Sequence, residues 1–176
     1  MADFNLEANI KTRIEKALIE TMQNEIFKDL IIDGKNLTYI RGYLQEQNLR
    51  KKIENLDDDF DESEDSYVPF VLLRTHGIKQ NNDSTPVAKY LKLLIRIVIK
   101  TENVEDGYDT VENMANRLVD YLTAWWYTPN YQIKFDAIET KPSEDANKGD
   151  YFGYDILLLC KLPVNPPTNY MKLKGY

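Results

Sequence analysis

Residues 90–122 constrain the fold more than any other stretch of the chain. From Leu91 to Ile99 every odd-numbered residue is apolar, whereas the even positions mix Lys92 and Arg96 with apolar residues. Alternation with a period of two is typical of a long strand that is covered on one side. From Val111 onward the apolar residues recur every three or four positions, as they do on an amphipathic helix. The segment therefore predicts a strand followed by a helix.

The boundary between that strand and that helix falls in ENVEDGYD, residues 102–109, which we predict to be a turn. Asp109 would then cap the helix, and Glu112, three residues later, would complete a capping box. We expect the helix to end at the Thr-Pro-Asn sequence of residues 128–130, because the residue before a proline disfavours helical geometry. The predicted buried stripe comprises Val111, Met114, Ala115, Leu118, Val119, Leu122, Trp125 and Trp126.

The amino-terminal part of the chain predicts two more helices. Residues 6–27 carry an apolar stripe at helical spacing, and Asp33-Gly34 then marks a turn. A second helix is predicted over residues 43–56, beginning after Gly42, which would weaken a helix interior. The stripe of the first helix comprises Leu6, Ile10, Ile14, Ala17, Leu18, Met22 and Ile26.

Three further strands complete the predicted elements. They cover residues 67–74, where Pro69 belongs at a strand start or an edge, residues 131–140, and residues 151–162. Residues 76–88 are predicted to be a loop because Gly, Asn, Asp, Ser and Pro cluster there.

The order helix, helix, strand, strand, helix, strand, strand predicts a single α+β domain over residues 1–163. We expect a mostly antiparallel sheet of four or more strands, covered by the amphipathic helices. The proline-rich residues 164–176 are predicted to form an extended C-terminal arm.

The net charge of −7 comes from one short segment. The run at residues 57–65 holds seven acids and no base, and removing it from the 29 acids leaves 22 against 22 bases. A basic footprint for nucleic acid is therefore absent from the composition, so we expect no sequence-specific nucleic-acid partner. No apolar run is long enough for a membrane span either.

We interpret residues 57–66 as a solvated acidic loop that faces a partner or a channel, since like charges repel one another. A calcium loop starting at Asp57 or Asp59 would need glycine at its sixth position and glutamate at its twelfth, and neither register has them. The acidic interface candidates are Asp57, Asp58, Asp59, Asp61, Glu62, Glu64 and Asp65.

The residues that usually carry chemistry are few. His76 is the one histidine and Cys160 the one cysteine, which disfavours a zinc site and excludes an internal disulfide. Phosphate-binding glycine patterns and a G-x-S-x-G elbow are missing from the sequence. We therefore expect no catalytic residue, no metal and no cofactor, and a protein that is not an enzyme.

Aromatic residues at two places have two interpretations. The adjacent Trp125 and Trp126 either close the core where the helix meets the sheet or anchor another subunit, since tryptophan and tyrosine dominate interface hot spots. Tyr170 and Tyr176 in the arm favour a subunit contact, because an extended tail needs a neighbouring surface to become ordered.

Three stretches resemble phage tail-terminator proteins. They are VPFVLLR at residues 68–74, the strand, acidic-glycine turn and helix of residues 95–122, and GDYFGYDILLLCKLP at residues 149–163. The spacing from Asp109 to Arg117 is one residue longer than in the family pattern, and the first 66 residues depart from it.

The resemblance implies a homo-oligomeric ring, commonly hexameric, that caps the tail tube, stops its polymerisation and offers a surface for head joining. The implied partners are other copies of the chain, the tube protein, and sheath or head-connector proteins. The protein would assemble in the host cytoplasm and end in a virion or a phage-tail-like particle. A head–tail connector or another tail-completion ring protein, a cytoplasmic protein-binding α+β module and an enzyme remain alternatives.

Overall fold

The computed structural model describes residues 6–42, 68–81, 88–124, 126–128, 131–133, 135–144, 146–147 and 149–162. They form an α+β fold with one central five-stranded mixed sheet, two α-helices and two short hairpins. The predicted helix over 43–56, the acidic loop and the C-terminal arm lie outside the described residues.

The first helix, α1, spans Leu6–Thr21 and continues directly as a single π-helical turn, Met22–Ile26. The predicted helix over residues 6–27 is thus confirmed in its extent. Ile14, Leu18, Met22 and Ile26 are all buried, as their spacing of four residues requires. The π turn ends where the Phe27 N–H donates to the Met22 carbonyl at 2.8 Å.

The predicted turn at Asp33-Gly34 is confirmed as the tip of a two-stranded hairpin. It joins β1, Ile31–Ile32, to β2, Lys35–Asn36. Asp33 and Gly34 both have positive φ, 49° and 74°, which is the requirement of a tight type I′ hairpin turn.

The central sheet has the strand order β3-β4-β5-β9-β8. Its strands are β3, Thr38–Arg41; β4, Phe70–Asn81; β5, Ala88–Lys100; β8, Phe135–Pro142; and β9, Tyr151–Leu162. All neighbouring pairs are antiparallel except β3 and β4, which run parallel. The sheet is therefore mostly antiparallel, as predicted, but β3 was not foreseen.

Strand β4 corrects the predicted loop at residues 76–88. The ladder between β4 and β5 continues to the pair Asn81–Ala88, with a bulge between Thr75 and Gly77. Gly77 has φ of 127°, a conformation that side-chain-bearing residues rarely adopt. Gly77, which suggested a loop, therefore accommodates a bulge within a long strand. Residues 82–87 of the predicted loop lie outside the described residues.

The larger of the two hydrophobic clusters lies on one face of this sheet, here called the helical face. The predicted apolar side of β5 is buried there completely, together with Phe152, Ile156, Leu158 and Cys160 of β9. The stripe of α1 and that of the second α-helix cover it. Each such fully buried aliphatic side chain contributes about 1.5–3 kcal/mol of burial free energy.

The second α-helix, α2, spans Val104–Ala124 and corrects the predicted cap at Asp109. Asn103 caps it instead: its Oδ1 accepts from the Glu105 N–H at 3.2 Å, and its amide donates to the Asp106 carboxylate. Most of the segment predicted to be a turn, residues 104–109, thus belongs to the beginning of α2.

Gly107 stands inside α2 because Phe152 leaves no room for a side chain. A Cβ at this position would lie 2.6 Å from Cε2 of the Phe152 ring. In the sequence this glycine suggests a turn, but in the structure it allows the helix and the sheet to approach each other closely.

Beyond α2 the chain forms a second small hairpin of β6, Trp126–Thr128, and β7, Tyr131–Ile133. This corrects two predictions. Trp126 lies in a strand and not at the end of the helix, and the predicted strand over 131–140 is divided between β7 and β8. None of the helices in the described part of the chain is long and apolar enough to cross a membrane.

Candidate interaction surfaces

The structure positions few of the predicted interface residues. The acidic residues of the run, Trp125, Tyr170 and Tyr176 lie outside the described residues. The backbone of Trp126 is placed in β6, opposite Ile133 of β7. The β6–β7 hairpin connects α2 to the edge strand β8. Tyr127 directly follows this tryptophan, and Tyr131 pairs with Thr128.

The two edges of the central sheet form the first candidate surface. Among the described strands, β3 and β8 each pair on one side only. An edge strand presents a row of backbone N–H and C=O groups to which another strand can add. The two edges lie at opposite ends of one sheet, so a single chain carries two such surfaces.

The β8 edge is the longer of the two, with eight residues against four in β3. Eight extended residues span about 26 Å. Ile138 is half-buried against the core, whereas Glu139, Thr140, Lys141 and Pro142 are exposed. The backbone of β8 is thus held by its pairing with β9, and the residues at its C-terminal end are accessible to a partner.

A groove of about 590 Å³ at one end of the sheet forms the second candidate surface. It lies where the β1–β2 hairpin, the start of β4 and the start of α2 meet. Its charged lining residues are Asp33, Lys35, Lys100, Glu102 and Asp150. Both signs of charge are mixed along it, which suits a protein surface better than a single small anion.

Exposed apolar residues flank this groove. Ile31 is 59% exposed and Val104 is 57% exposed, and each adjoins a lining residue in sequence. Tyr108, one helical turn after Val104, is 43% exposed and packs its ring edge-on against Phe152 at 5.0 Å. Large apolar side chains around a polar groove are typical of an interaction surface.

The face of the sheet opposite the helices, here called the second face, carries buried charge. Arg96 and Asp155 are directly opposite on β5 and β9, and two hydrogen bonds of 2.6 and 2.8 Å join the guanidinium to the carboxylate. Asp155 is 6% exposed. The sequence signal for this pair is the acidic Asp155 in the middle of the largely apolar β9.

On the helical side, Glu15 of α1 is a buried carboxylate with two partners. The Thr75 hydroxyl donates to its Oε1 at 2.5 Å, and Arg41 Nε lies 3.8 Å from its Oε2. These contacts tie α1 to β3 and β4. Glu15 therefore has a structural role in joining α1 to the sheet.

Two tyrosines meet at the π turn. Tyr39 of β3 donates to the Met22 carbonyl at 3.4 Å, and burial raises the pKa of Tyr39 to about 12. Tyr121 of α2 donates to the Glu25 carboxylate. This hydrogen bond, followed by burial and the charge of Glu25, raises the pKa of Tyr121 to about 12. The π turn therefore connects β3 with α2.

The residues considered for chemistry are dispersed. His76 is exposed on β4, whereas Cys160 is buried on the helical face. Among the described residues, no three of His, Cys, Asp and Glu lie close enough together to hold a metal ion.

The described part of the chain thus defines an α+β protein with two open sheet edges and an apolar-flanked groove. No protein-family model matches the chain. No curated protein is significantly similar to it.

Proposed function

We propose that the chain is a ring-forming tail-completion protein of the tail-terminator type. It would cap the tail tube, stop its polymerisation and offer a surface for head joining. The observation that carries the proposal is the pair of open edges, β3 and β8, at opposite ends of the described sheet. A contact between two different surfaces of identical subunits produces a ring when its rotation closes.

In this proposal the β8 edge of one copy adds to the β3 edge of the next. Edge pairing supplies main-chain hydrogen bonds without requiring a particular side chain. The groove and its exposed neighbours Ile31 and Val104 would then face the tube. This arrangement gives the two candidate surfaces different partners.

The positions of the resembling stretches support the proposal. Residues 68–74 contain the start of β4, residues 95–122 contain the last six residues of β5 and most of α2, and residues 149–163 contain β9. These strands are direct neighbours in the sheet. The resemblance therefore falls on one contiguous scaffold and not on scattered segments.

The direct test is the mass of the purified protein in solution, with negative-stain imaging alone and with assembled tubes. We expect a closed ring of defined subunit number, or a ring that forms on tube ends and blocks further growth. A monomer at all concentrations that leaves tube growth unchanged would contradict the proposal. Binding to a connector but not to tube ends would favour the head–tail connector.

A pair of proline variants tests the role of the β8 edge. Neighbouring residues in a strand point their N–H groups to opposite sides. One of the two substitutions Glu139→Pro and Thr140→Pro therefore removes an N–H that points away from the sheet, and the other removes an N–H that points toward β9. The variant without the outward N–H should lose ring formation while it keeps most of its stability. The other should lose a β8–β9 hydrogen bond and be less stable, so it is the matched control. Rings from both variants would show that β8 is not the contact.

A further inference from the structure

The second face of the sheet is strongly basic. Alternation and register place seven basic residues on it against two acidic ones, Glu139 and Asp155, a surplus of five positive charges. On the helical face the same strands, with β3, carry only two bases, Lys89 and Arg41. The seven bases are Arg74, Lys79, Lys92, Arg96, Lys100, Lys141 and Lys161.

Apolar residues on the second face are buried as well. Leu72, Leu94 and Val98 are 5%, 3% and 4% exposed. Toward one end, the cluster around Leu72 and Val98 includes Ala146 and Tyr151. Leu94 lies further along, between Arg74 and Leu157, and does not belong to that cluster.

Topology indicates which part of the chain crosses this face. Two connections join parallel strands of the sheet: residues 42–69 join β3 to β4, and the connection containing α2 joins β5 to β8. Such connections are right-handed in about 98% of cases. Both advance in the same direction across the sheet, but β3 and β5 point in opposite directions. Two right-handed connections of this kind lie on opposite faces.

Since α2 covers the helical face, the same rule predicts the second face for the β3–β4 connection. Its sequence suits that position. Residues 43–67 contain nine acids and three bases, a net charge of −6, and include the acidic run at 57–65. They also contain Leu44 and, at helical spacing, Leu49, Ile53 and Leu56, which supply apolar side chains.

We propose that residues 43–67 dock on the second face of their own sheet, with the acidic run on the surrounding basic residues. The strand ends at Arg41 and Phe70 fix where the segment leaves and returns. The opposite charges of segment and face attract each other, and the attraction weakens as salt screens it. The proposal does not depend on ring formation. It assigns the run to this chain's own sheet and not to a tube or a lumen.

Zero-length carbodiimide cross-linking of the unmodified protein tests the docking. The reagent joins a carboxylate to a lysine amine only where they touch, and digestion with mass spectrometry identifies the pairs. We expect links from the acids of 57–65 to Lys92, Lys141 or Lys161. Links confined to Lys16 and Lys28, on the side of the chain that carries α1, would overturn the proposal.

The same experiment on an equal mixture of ¹⁴N- and ¹⁵N-labelled protein distinguishes one chain from two. Docking within a chain gives cross-linked peptides of one isotope only. Peptides that combine both isotopes would show that the run docks on a second copy, which would also overturn the proposal.

A charge-neutral variant gives an independent readout. Replacing the seven acids by Asn and Gln should raise the acylation rate of Lys92 and Lys141 several-fold, because a segment that no longer docks leaves their amines open to the reagent. The rates of Lys16 and Lys28 should not change and serve as internal controls. Equal rates at Lys92 and Lys141 in the two proteins would contradict the docking.

Discussion

Arg96 and Asp155 face each other across β5 and β9 with both of their hydrogen bonds formed side by side, at 2.6 and 2.8 Å. The fork of the guanidinium matches the two carboxylate oxygens, which makes this pair stronger than a single contact between charges. Because the side chains are only 21% and 8% exposed, solvent cannot replace a lost partner fully. The pair therefore contributes to the register between β5 and β9.

Removing one member of this pair should destabilise the protein. We expect Asp155→Ala to lower the free energy of unfolding by about 2 kcal/mol, since it leaves a partly buried guanidinium without its carboxylate. Glu139→Ala, an exposed acid on the same face of the neighbouring strand, is the control and should cost less than about 0.5 kcal/mol. Denaturant unfolding measures both.

The double variant Arg96→Leu with Asp155→Leu tests whether the loss of stability comes from leaving one charge unpaired. Replacing both charges by apolar residues is often neutral, since no unpaired charge remains. It should recover most of the stability that Asp155→Ala loses. A double variant as unstable as the single one would contradict this explanation.

Gly107→Ala should destabilise the protein although alanine favours helices. The gain in helix propensity is about 1 kcal/mol, but the new methyl group would overlap the Phe152 ring. Overpacking of this kind costs about 1–3 kcal/mol, so we expect a net loss and a lower melting temperature. The exposed substitution Asn116→Ala in the same helix should be neutral or slightly stabilising. Combining Gly107→Ala with Phe152→Leu should relieve the overlap.

Stability should fall in strongly alkaline solution because of Tyr39 and Tyr121. Their pKa values near 12 in the folded protein exceed the ordinary value of 10.0. Between these values the unfolded chain loses the protons that the folded chain keeps, so the free energy of unfolding falls as pH rises from 10 to 12. Below pH 10 the contribution is complete. Tyr39→Phe with Tyr121→Phe should flatten this dependence, and a slope unchanged by the double variant would disprove the assignment.

Thr75→Val tests the buried carboxylate of Glu15. The change keeps the shape of the side chain but removes the hydroxyl that donates to Glu15. A buried acceptor without its donor costs about 1–3 kcal/mol. Thr123→Val is the matched control, because the Thr123 hydroxyl donates to the Val119 carbonyl on an exposed part of α2. Equal effects of the two substitutions on the unfolding midpoint would show that the Glu15 contact is not important.

The parts of the fold that could be predicted from the sequence are those that local periodicity determines. The alternation from Leu91 to Ile99 gave β5, and the stripe containing Leu118 gave α2. The turn at Asp33-Gly34 followed from the conformational preferences of its two residues.

Elements that depend on distant partners could not be predicted in the same way. Gly107 suggests a turn unless the position of Phe152 is known. The short strand β3 has no alternation of its own and exists because β4 lies beside it. The same holds for the candidate surfaces, since which strands become edges depends on the order of the whole sheet.

The parallel pairing of β3 has a consequence for how the sheet forms. Six residues separate β4 from β5, whereas 28 separate β3 from β4. Closing the longer loop costs about 1.4 kcal/mol more conformational entropy, and only four residue pairs repay it. We therefore expect β3 to join last and to detach first. In a native-state experiment its amides should exchange with deuterium faster than those of β5. The β3 edge would then be the part of the sheet that opens most easily.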